Sequence, residues 1–313
     1  MVRHHDLPET LTGGGRRLRL PDGHDIACQT VNEAKFFYED IFTKRIYHRH
    51  GIRLQGARCV LDVGANIGLF TLFVRRECPQ ARVYAFEPAP PLFEILRHNT
   101  RAHRDCVKLF PCGIGAQPGR AEFTFYPQSS GMSSLYADID EERTALEGIF
   151  RNQQLHGDPG VDALMQHSDD LLAERLRSER FPVELRSISQ VLRDESIDRV
   201  DLLKIDVQKA EADVIAGIDA SDWPKIQQLV IEVHDISGRL AQVTAELEGR
   251  GFEVVAEQDD HYESSTTWNL FAIRPQSTQH AGRSPLRPAR QRAAALQAAV
   301  EAQQASASAE GVA

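Results

Sequence analysis

The chain has 313 residues, enough for one large or two small domains, and its 42% hydrophobic and 26% charged residues are ordinary for a globular protein. A net charge of −9 argues against general nucleic-acid binding, which runs on phosphate neutralisation, and no apolar run nears the roughly 20 residues that span a bilayer. Cys28, Cys59, Cys78, Cys106 and Cys112 form no C-x-x-C pair and the N-terminus lacks a signal-peptide core, so reduced thiols and a cytoplasmic location are expected.

Residues 1–17 are polar and glycine-rich and are expected to be disordered. Residues 18–58 read as an N-terminal cap segment. In it, the turn signal Leu20-Pro21-Asp22-Gly23 separates two short strands, and a helix follows with Asn32 as its N-cap. Phe37 and Ile41, with Tyr38 and Phe42 less regularly, repeat at helical spacing. Such a stripe is more often core, although it could also close over a ligand.

From 59 to 275 strands and helices alternate, which indicates a parallel sheet with crossover helices. Strands are expected at 60–63, 83–86, 107–111, 202–206, 228–233, 252–256 and 269–273, and helices at 68–76, 90–102, 208–217 and 238–250. The alternation at 121–126 predicts an added half-exposed strand. Residues 129–181 interrupt the pattern and are expected to form a helical lid over the substrate. Ile139, Leu146, Ile149 and Phe150 make its buried stripe, and Asp138, Asp140, Glu141 and Glu142 stand at the helix start. The tail 276–313 has little to bury and is expected to be disordered.

Two stretches carry chemistry. In Leu61-Asp62-Val63-Gly64-Ala65-Asn66-Ile67-Gly68 an apolar strand runs into a tight glycine turn and then a helix start, whose free N–H groups face a ligand. Asn66 stands where a dinucleotide fingerprint carries its second glycine and would crowd a pyrophosphate, whereas an amino-acid carboxylate or sulfonium tail needs less room. Glu87 follows Gly68 by 19 residues at the end of the next strand, where a carboxylate can accept both hydroxyls of a ribose. These features together point to a nucleoside-type cofactor. The second stretch pairs Lys204 and Asp206, on one face of a strand end, with Glu232 and His234 on the next strand. Glu211 lies about a turn into the intervening helix. Charge in such strands is costly unless paired or placed at the carboxyl end, where ligands bind, so this is a site candidate. The plainer alternative is a structural Lys204–Glu232 ion pair.

The glycine turn with Asn66, the Phe86-Glu87-Pro88 strand end, the segment Lys204-Ile205-Asp206-Val207 with Ala210-Glu211, and Ile231-Glu232-Val233-His234 together resemble the FkbM family of S-adenosylmethionine-dependent methyltransferases, over about residues 18–275. The resemblance implies a doubly wound, mostly parallel seven-stranded α/β sheet of the class I methyltransferase, Rossmann-like type, and O-methylation of a hydroxyl. It implies S-adenosylmethionine held by Asp62, Gly64, Asn66 and Gly68 at its methionine part and by Glu87 at its ribose. Cys112-Gly113-Ile114, with Gly113 at its centre, would lie beside the adenine. One departure stands out: Gln208 occupies a position where the family usually carries Glu.

The expected chemistry is proton removal from the acceptor hydroxyl by His234 or Asp206, with Lys204 and Glu232 orienting the site and Glu211 close by. A divalent cation at Asp206 is an alternative way to acidify the hydroxyl, although no metal-ligand spacing is present. The acceptor is expected to be a small or carrier-tethered molecule, with no nucleic-acid or membrane partner. Two rival classes are a nicotinamide oxidoreductase and, given Gln208, a cofactor-binding scaffold without catalysis.

Overall fold

The computed structural model describes residues 16–155, 168–259 and 265–275, and side chains within these except at 149–155 and 168–170. The expectations for residues 1–15, the tail 276–313 and the side chains of Ile149 and Phe150 lie outside what is described. The described elements all belong to the unit Met1–Arg274.

Two strands, β1 (Arg16–Arg19) and β2 (Asp25–Cys28), pair as an antiparallel hairpin around the expected Pro-Asp-Gly turn. The hairpin begins inside the segment expected to be disordered. Helix α1 (Val31–Tyr38) follows, and its N-cap is Thr30 rather than Asn32: Thr30 has extended backbone and its hydroxyl accepts from Glu33 N at 3.4 Å. After Tyr38 the helix widens into a π turn, Glu39–Thr43, closed by Lys44 N donating to Glu39 O. This turn stacks Tyr38 on Phe42 at 4.6 Å and sets Phe42 edge-on to Phe73 at 5.4 Å. Ile41 and Phe42 therefore join the core, while Phe37 is half-buried and faces loop residue Gly131.

The central sheet is built from β3 (Cys59–Val63), β4 (Arg82–Phe86), β5 (Val107–Phe110), β9 (Leu202–Ile205), β10 (Gln228–His234), β11 (Glu253–Glu257) and β12 (Thr267–Ile273), in the order β11-β12-β10-β9-β3-β4-β5. All neighbours pair in parallel except β12, which runs antiparallel to β10 and β11. The chain winds outward from β3 to β5 in one direction and from β9 to β10 in the other, so the topological switch point lies between β3 and β9. Ligands of open α/β sheets bind outside the carboxyl ends of the strands at such a point. Helices α2 (Leu69–Glu77), α3 (Pro90–Asn99), α7 (Glu211–Ala216) and α8 (Arg239–Gly249) occupy the connections. Helix α7 starts three residues later than the spacing predicts, because Gln208 and Lys209 hold left-handed backbone (φ 49° and 75°).

A second, three-stranded sheet in the order β6-β8-β7 flanks this core, with β6 (Cys112–Ile114), β7 (Gly119–Phe125) and β8 (Glu179–Arg186). Only β7 is anticipated as a strand by alternation. Pro182 masks β8, since proline is confined to positions with a free edge. The residue meets that rule: it pairs with Glu122 of β7, while β6 reaches β8 only at Glu184–Arg186. Between them lie α4 (Ile139–Leu155) and α5 (Ser168–Arg175), followed by α6 (Ile188–Asp194), which the pattern also does not show. In α4 Leu146 is buried, but Ile139 is 59% exposed because it sits in the capped first turn, where Asp138 Oδ1 accepts from Asp140 N and Glu141 N.

Gly64 shows how tightly the switch point is built. Its φ is 79°, and a Cβ there would lie 1.8 Å from the carbonyl oxygen of Asp206. Gly56 has a comparable φ of 82° with nothing within 4 Å. Gly64→Ala is expected to cost more than Gly56→Ala by about 1–3 kcal/mol of overpacking, since the backbone strain is common to both. Paired urea-denaturation curves check this; equal losses would show that the strand ends have slack.

Candidate active site at the switch point

The described residues bring most of the predicted site together at the carboxyl ends of β3, β4, β9 and β10. Asp62 and Lys204 are register partners on adjacent strands, and side chains at paired positions share a face of the sheet. Lys204 is 2% exposed, and its ammonium donates to Gly64 O at 2.7 Å and lies 3.3 Å from Asp62 and 3.4 Å from Asp206. Burial works against its charge, but Asp206 and Asp62 outweigh it and hold its pKa above the ordinary value. The rings of Tyr47 and Phe70 stand 5.4 and 5.9 Å from the ammonium. Lys204 therefore pairs with Asp62 and Asp206, and the structure does not form the alternative pair with Glu232; Lys204 is level with Val230 on β10, two residues short of Glu232.

The glycine turn is organised by acids. Gly64 N and Ala65 N donate to Phe86 O, and Asn66 N donates to Glu87 Oε2 at 2.8 Å. Asn66 has φ 50°, and its Oδ1 accepts from Ile67 N at 2.7 Å. The other oxygen of Glu87 accepts from Ala89 N at 2.9 Å. Burial pushes the Glu87 carboxyl up to about 7 against the pull of these N–H groups.

The glycines serve packing as much as any ligand. The space at Gly64 is taken by Asp206, a Cβ on Gly68 would lie 2.7 Å from Leu96 Cδ1, and one on Gly113 would lie 2.8 Å from Leu185 Cδ2. Gly113 does sit beside the strand-end acid, with Pro88 Cβ 3.8 Å from that position. Asp62 is fully buried, with Thr71 donating to one oxygen at 2.7 Å and Lys204 beside the other. It anchors Thr71 and Lys204 beneath the turn.

On the acceptor side, Asp206 accepts from the Tyr47 hydroxyl at 2.8 Å and from Gln208 Nε2 at 3.2 Å. Gln208 Nε2 also donates to Glu232 Oε1 at 2.9 Å, so one amide ties the two acids together. Burial first, and the Asp206 charge second, push Glu232 up to about 8. His234 Nδ1 lies 2.8 Å from Glu211 Oε1, leaving Nε2 without a hydrogen-bond partner among the described residues. Glu211 is fully buried and also accepts from Lys209 N at 2.8 Å and Arg239 at 3.0 Å. Burial opposes charge on His234, but its bond to Glu211 and the charges of Glu211, Glu232 and Asp206 prevail and raise its pKa.

Several contributors escape a reading by sequence. Asn269 is level with Glu232 across the β10–β12 pair, is 3% exposed, and has a buried Oδ1 without a hydrogen-bond partner. A polar residue inside an otherwise apolar strand is the signal that could have found it. Arg239, Glu33 and Ser130 give no such signal, because only the fold brings them to the site. The expected lid starts here: Ser130 Oγ accepts from Asn66 Nδ2 at 3.2 Å, the Ser134 hydroxyl donates to Gln208 O, and Lys209 pairs with Glu141 and Glu142 at 2.7 and 2.8 Å. Among the described residues no group of three or more His, Cys, Asp or Glu is arranged to hold a metal, and no helix is long and apolar enough to cross a membrane.

The strand order, the switch-point crevice and the acid after the second strand define a class I methyltransferase fold. Residues 62–254 match the methyltransferase FkbM domain, and the chain belongs to that family. It is 40% identical over 257 residues to the 31-O-demethyl-FK506 methyltransferase FkbM of Streptomyces tacrolimicus, covering 82% of this chain and 96% of that protein. It is 38% identical over 274 residues to the AMB antimetabolite synthetase AmbE of Pseudomonas aeruginosa, covering 85% of this chain but only 13% of that much longer protein. It is 28% identical over 162 residues to the 2-O-methyltransferase NoeI of Sinorhizobium fredii, covering 50% of this chain and 56% of that one.

Removing the ammonium from the crevice tests its electrostatic role. Lys204→Met leaves the Asp62 carboxylate buried without its cation, and a loss of about 3–5 kcal/mol is expected at neutral pH. Denaturation at pH 7 measures this, and a variant as stable as wild type would contradict this account.

Proposed function

We propose that this chain transfers a methyl group from S-adenosylmethionine to a hydroxyl of a small or carrier-tethered molecule. The observation that carries this reading is His234 at the strand end, fixed through Nδ1 by the buried Glu211 with Nε2 left open. Family membership supports methyl transfer, and two of the matched relatives bear names of O-methyltransferases.

The residues fit such a cofactor. Each oxygen of Glu87 accepts one backbone N–H, and a carboxylate offers about four lone-pair sites, so both oxygens can still accept a ribose hydroxyl. Asn66 fills the place through which a pyrophosphate would approach. Asp62 and Asp206 around one ammonium leave the crevice net negative, which suits a cationic sulfonium. Glu87, Asn66 and the N-terminus of α2 would hold the cofactor, with Gly113 beside it. When bound, the cofactor would supply an activated methyl group, its carbon–sulfur bond breaking as the acceptor oxygen bonds to the methyl carbon and S-adenosylhomocysteine leaves.

Alignment of the two partners can supply ~7–11 kcal/mol of barrier lowering. An aliphatic hydroxyl resembles water in acidity, with a pKa near ~16, so it keeps its proton until the new C–O bond forms. His234 Nε2 takes that proton as the bond forms. Glu211 keeps Nδ1 protonated and stabilises the imidazolium, and Arg239 balances the charge of Glu211. Burial and the Asp206 charge push Glu232 up to about 8, and its Oε1 accepts from Gln208 Nε2, which holds it beside Asp206.

His234→Ala is expected to lower kcat by about 10²–10⁴-fold while leaving S-adenosylhomocysteine affinity unchanged. The base must be neutral, so wild-type kcat should fall as pH drops through a limb above the ordinary imidazole value of about 6.5, and the variant should lose that limb. Full activity in the variant removes His234 from the chemistry. Calorimetry with S-adenosylmethionine, S-adenosylhomocysteine and NAD tests the cofactor, and tight NAD binding without S-adenosylhomocysteine binding overturns the methyltransferase reading.

A further inference from the structure

Glu33 of α1 is a half-buried acid that the chemistry above does not employ. It stands three residues after the N-cap Thr30, a spacing at which its carboxylate could turn back to the cap N–H. It does not do so. Its Oε2 accepts from the Ser130 hydroxyl at 2.8 Å and its Oε1 from Gly131 N at 2.9 Å. Burial pushes its carboxyl up, and the Gly131 and Ser130 bonds pull the other way.

The direction of these bonds matters. Ser130 gives its only proton to Glu33, so its oxygen can act toward Asn66 solely as an acceptor, and it accepts from Asn66 Nδ2 at 3.2 Å. That orientation turns Asn66 Oδ1 to Ile67 N at 2.7 Å, while Asn66 N donates to Glu87 at 2.8 Å. Asn66 holds left-handed backbone, which Asn tolerates through local side-chain hydrogen bonds, and here both its amide nitrogen and its amide oxygen are used. A chain of hydrogen bonds thus runs from an acid in the cap segment, through loop 129–134, to the acid at the end of β4. The loop also lies flush on α1: a Cβ on Gly131 would fall 2.8 Å from Phe37 Cζ.

We propose that Glu33 is a positioning residue for the cofactor: acting through Ser130, it fixes the Asn66 turn, so the cap segment and loop 129–134 must be docked for the cofactor to be held tightly. This rests on the S-adenosylmethionine reading. A purely structural staple between α1 and the loop would need the Gly131 bond but not the Ser130–Asn66 link, and the two accounts part there.

The test is calorimetric binding of S-adenosylhomocysteine to the full chain for wild type, Glu33→Ala, Ser130→Ala and the double variant, with thermal unfolding of each. Both single variants are expected to weaken binding by about tenfold or more, the size of a lost charge-assisted hydrogen bond. The double variant should be no worse than either, because the residues act in one chain. Ser130→Ala keeps the Glu33–Gly131 bond and serves as the milder variant should Glu33→Ala fail to fold. Unchanged affinity in Ser130→Ala, or losses that add in the double variant, overturns the role of Glu33 alone. Failure of the wild-type chain to bind S-adenosylhomocysteine overturns the cofactor reading and this role with it.

Discussion

A single buried ammonium sets the geometry of this molecule's crevice. Withdrawing Lys204 from water carries a penalty of several kcal/mol that only close, well-oriented partners can offset. It finds them in the Gly64 carbonyl, the Asp62 and Asp206 carboxylates and the faces of Tyr47 and Phe70. These partners come from β3, the β9 strand end, the cap segment and α2, so one charge draws four separate pieces of chain to the switch point. The closeness it imposes explains why position 64 is glycine: the Asp206 carbonyl occupies the space of a side chain. The same closeness makes Asp62 a structural partner of Lys204 and Thr71.

Those constraints also explain what the sequence revealed. The central strands are near-continuous apolar runs, as strands buried on both faces must be, so their positions were legible to within a residue or two. Charges in such runs are conspicuous, which is why Lys204, Asp206, Glu232 and His234 stood out. Their pairing was not legible, because it depends on register: Lys204 is level with Asp62 and Val230, and only β-sheet geometry makes Asp62 its partner in place of Glu232. Strand β8 is hidden for a local reason, a proline in the half of the strand that has a free edge. The α7 start and the α1 cap were misplaced because left-handed backbone at Gln208 and Lys209, and a hydroxyl two residues upstream of Asn32, do not register in hydrophobic periodicity.

Gln208 reads differently once its surroundings are known. As a departure from the family pattern it raised the prospect of an impaired enzyme. In the structure its amide donates to both Asp206 and Glu232, so it does what a third carboxylate could not: it satisfies two acids without adding charge to a buried cluster. Its left-handed backbone turns the chain between β9 and α7, letting Lys209 N reach Glu211 and holding that acid under His234.

In the proposed reaction, the base is the group with an open atom and no competing duty. Asp206 already accepts from Tyr47 and Gln208 and lies beside Lys204. Glu232 is driven up to about 8 by burial and by its neighbour's charge, and its Oε1 already accepts from Gln208. Glu211 is sealed from solvent and committed to His234, Lys209 and Arg239. His234 remains, at the strand end, with one nitrogen fixed and the other open. The bond to Glu211 and the charges of the surrounding acids raise its pKa, which in the proposed reaction would strengthen it as a base.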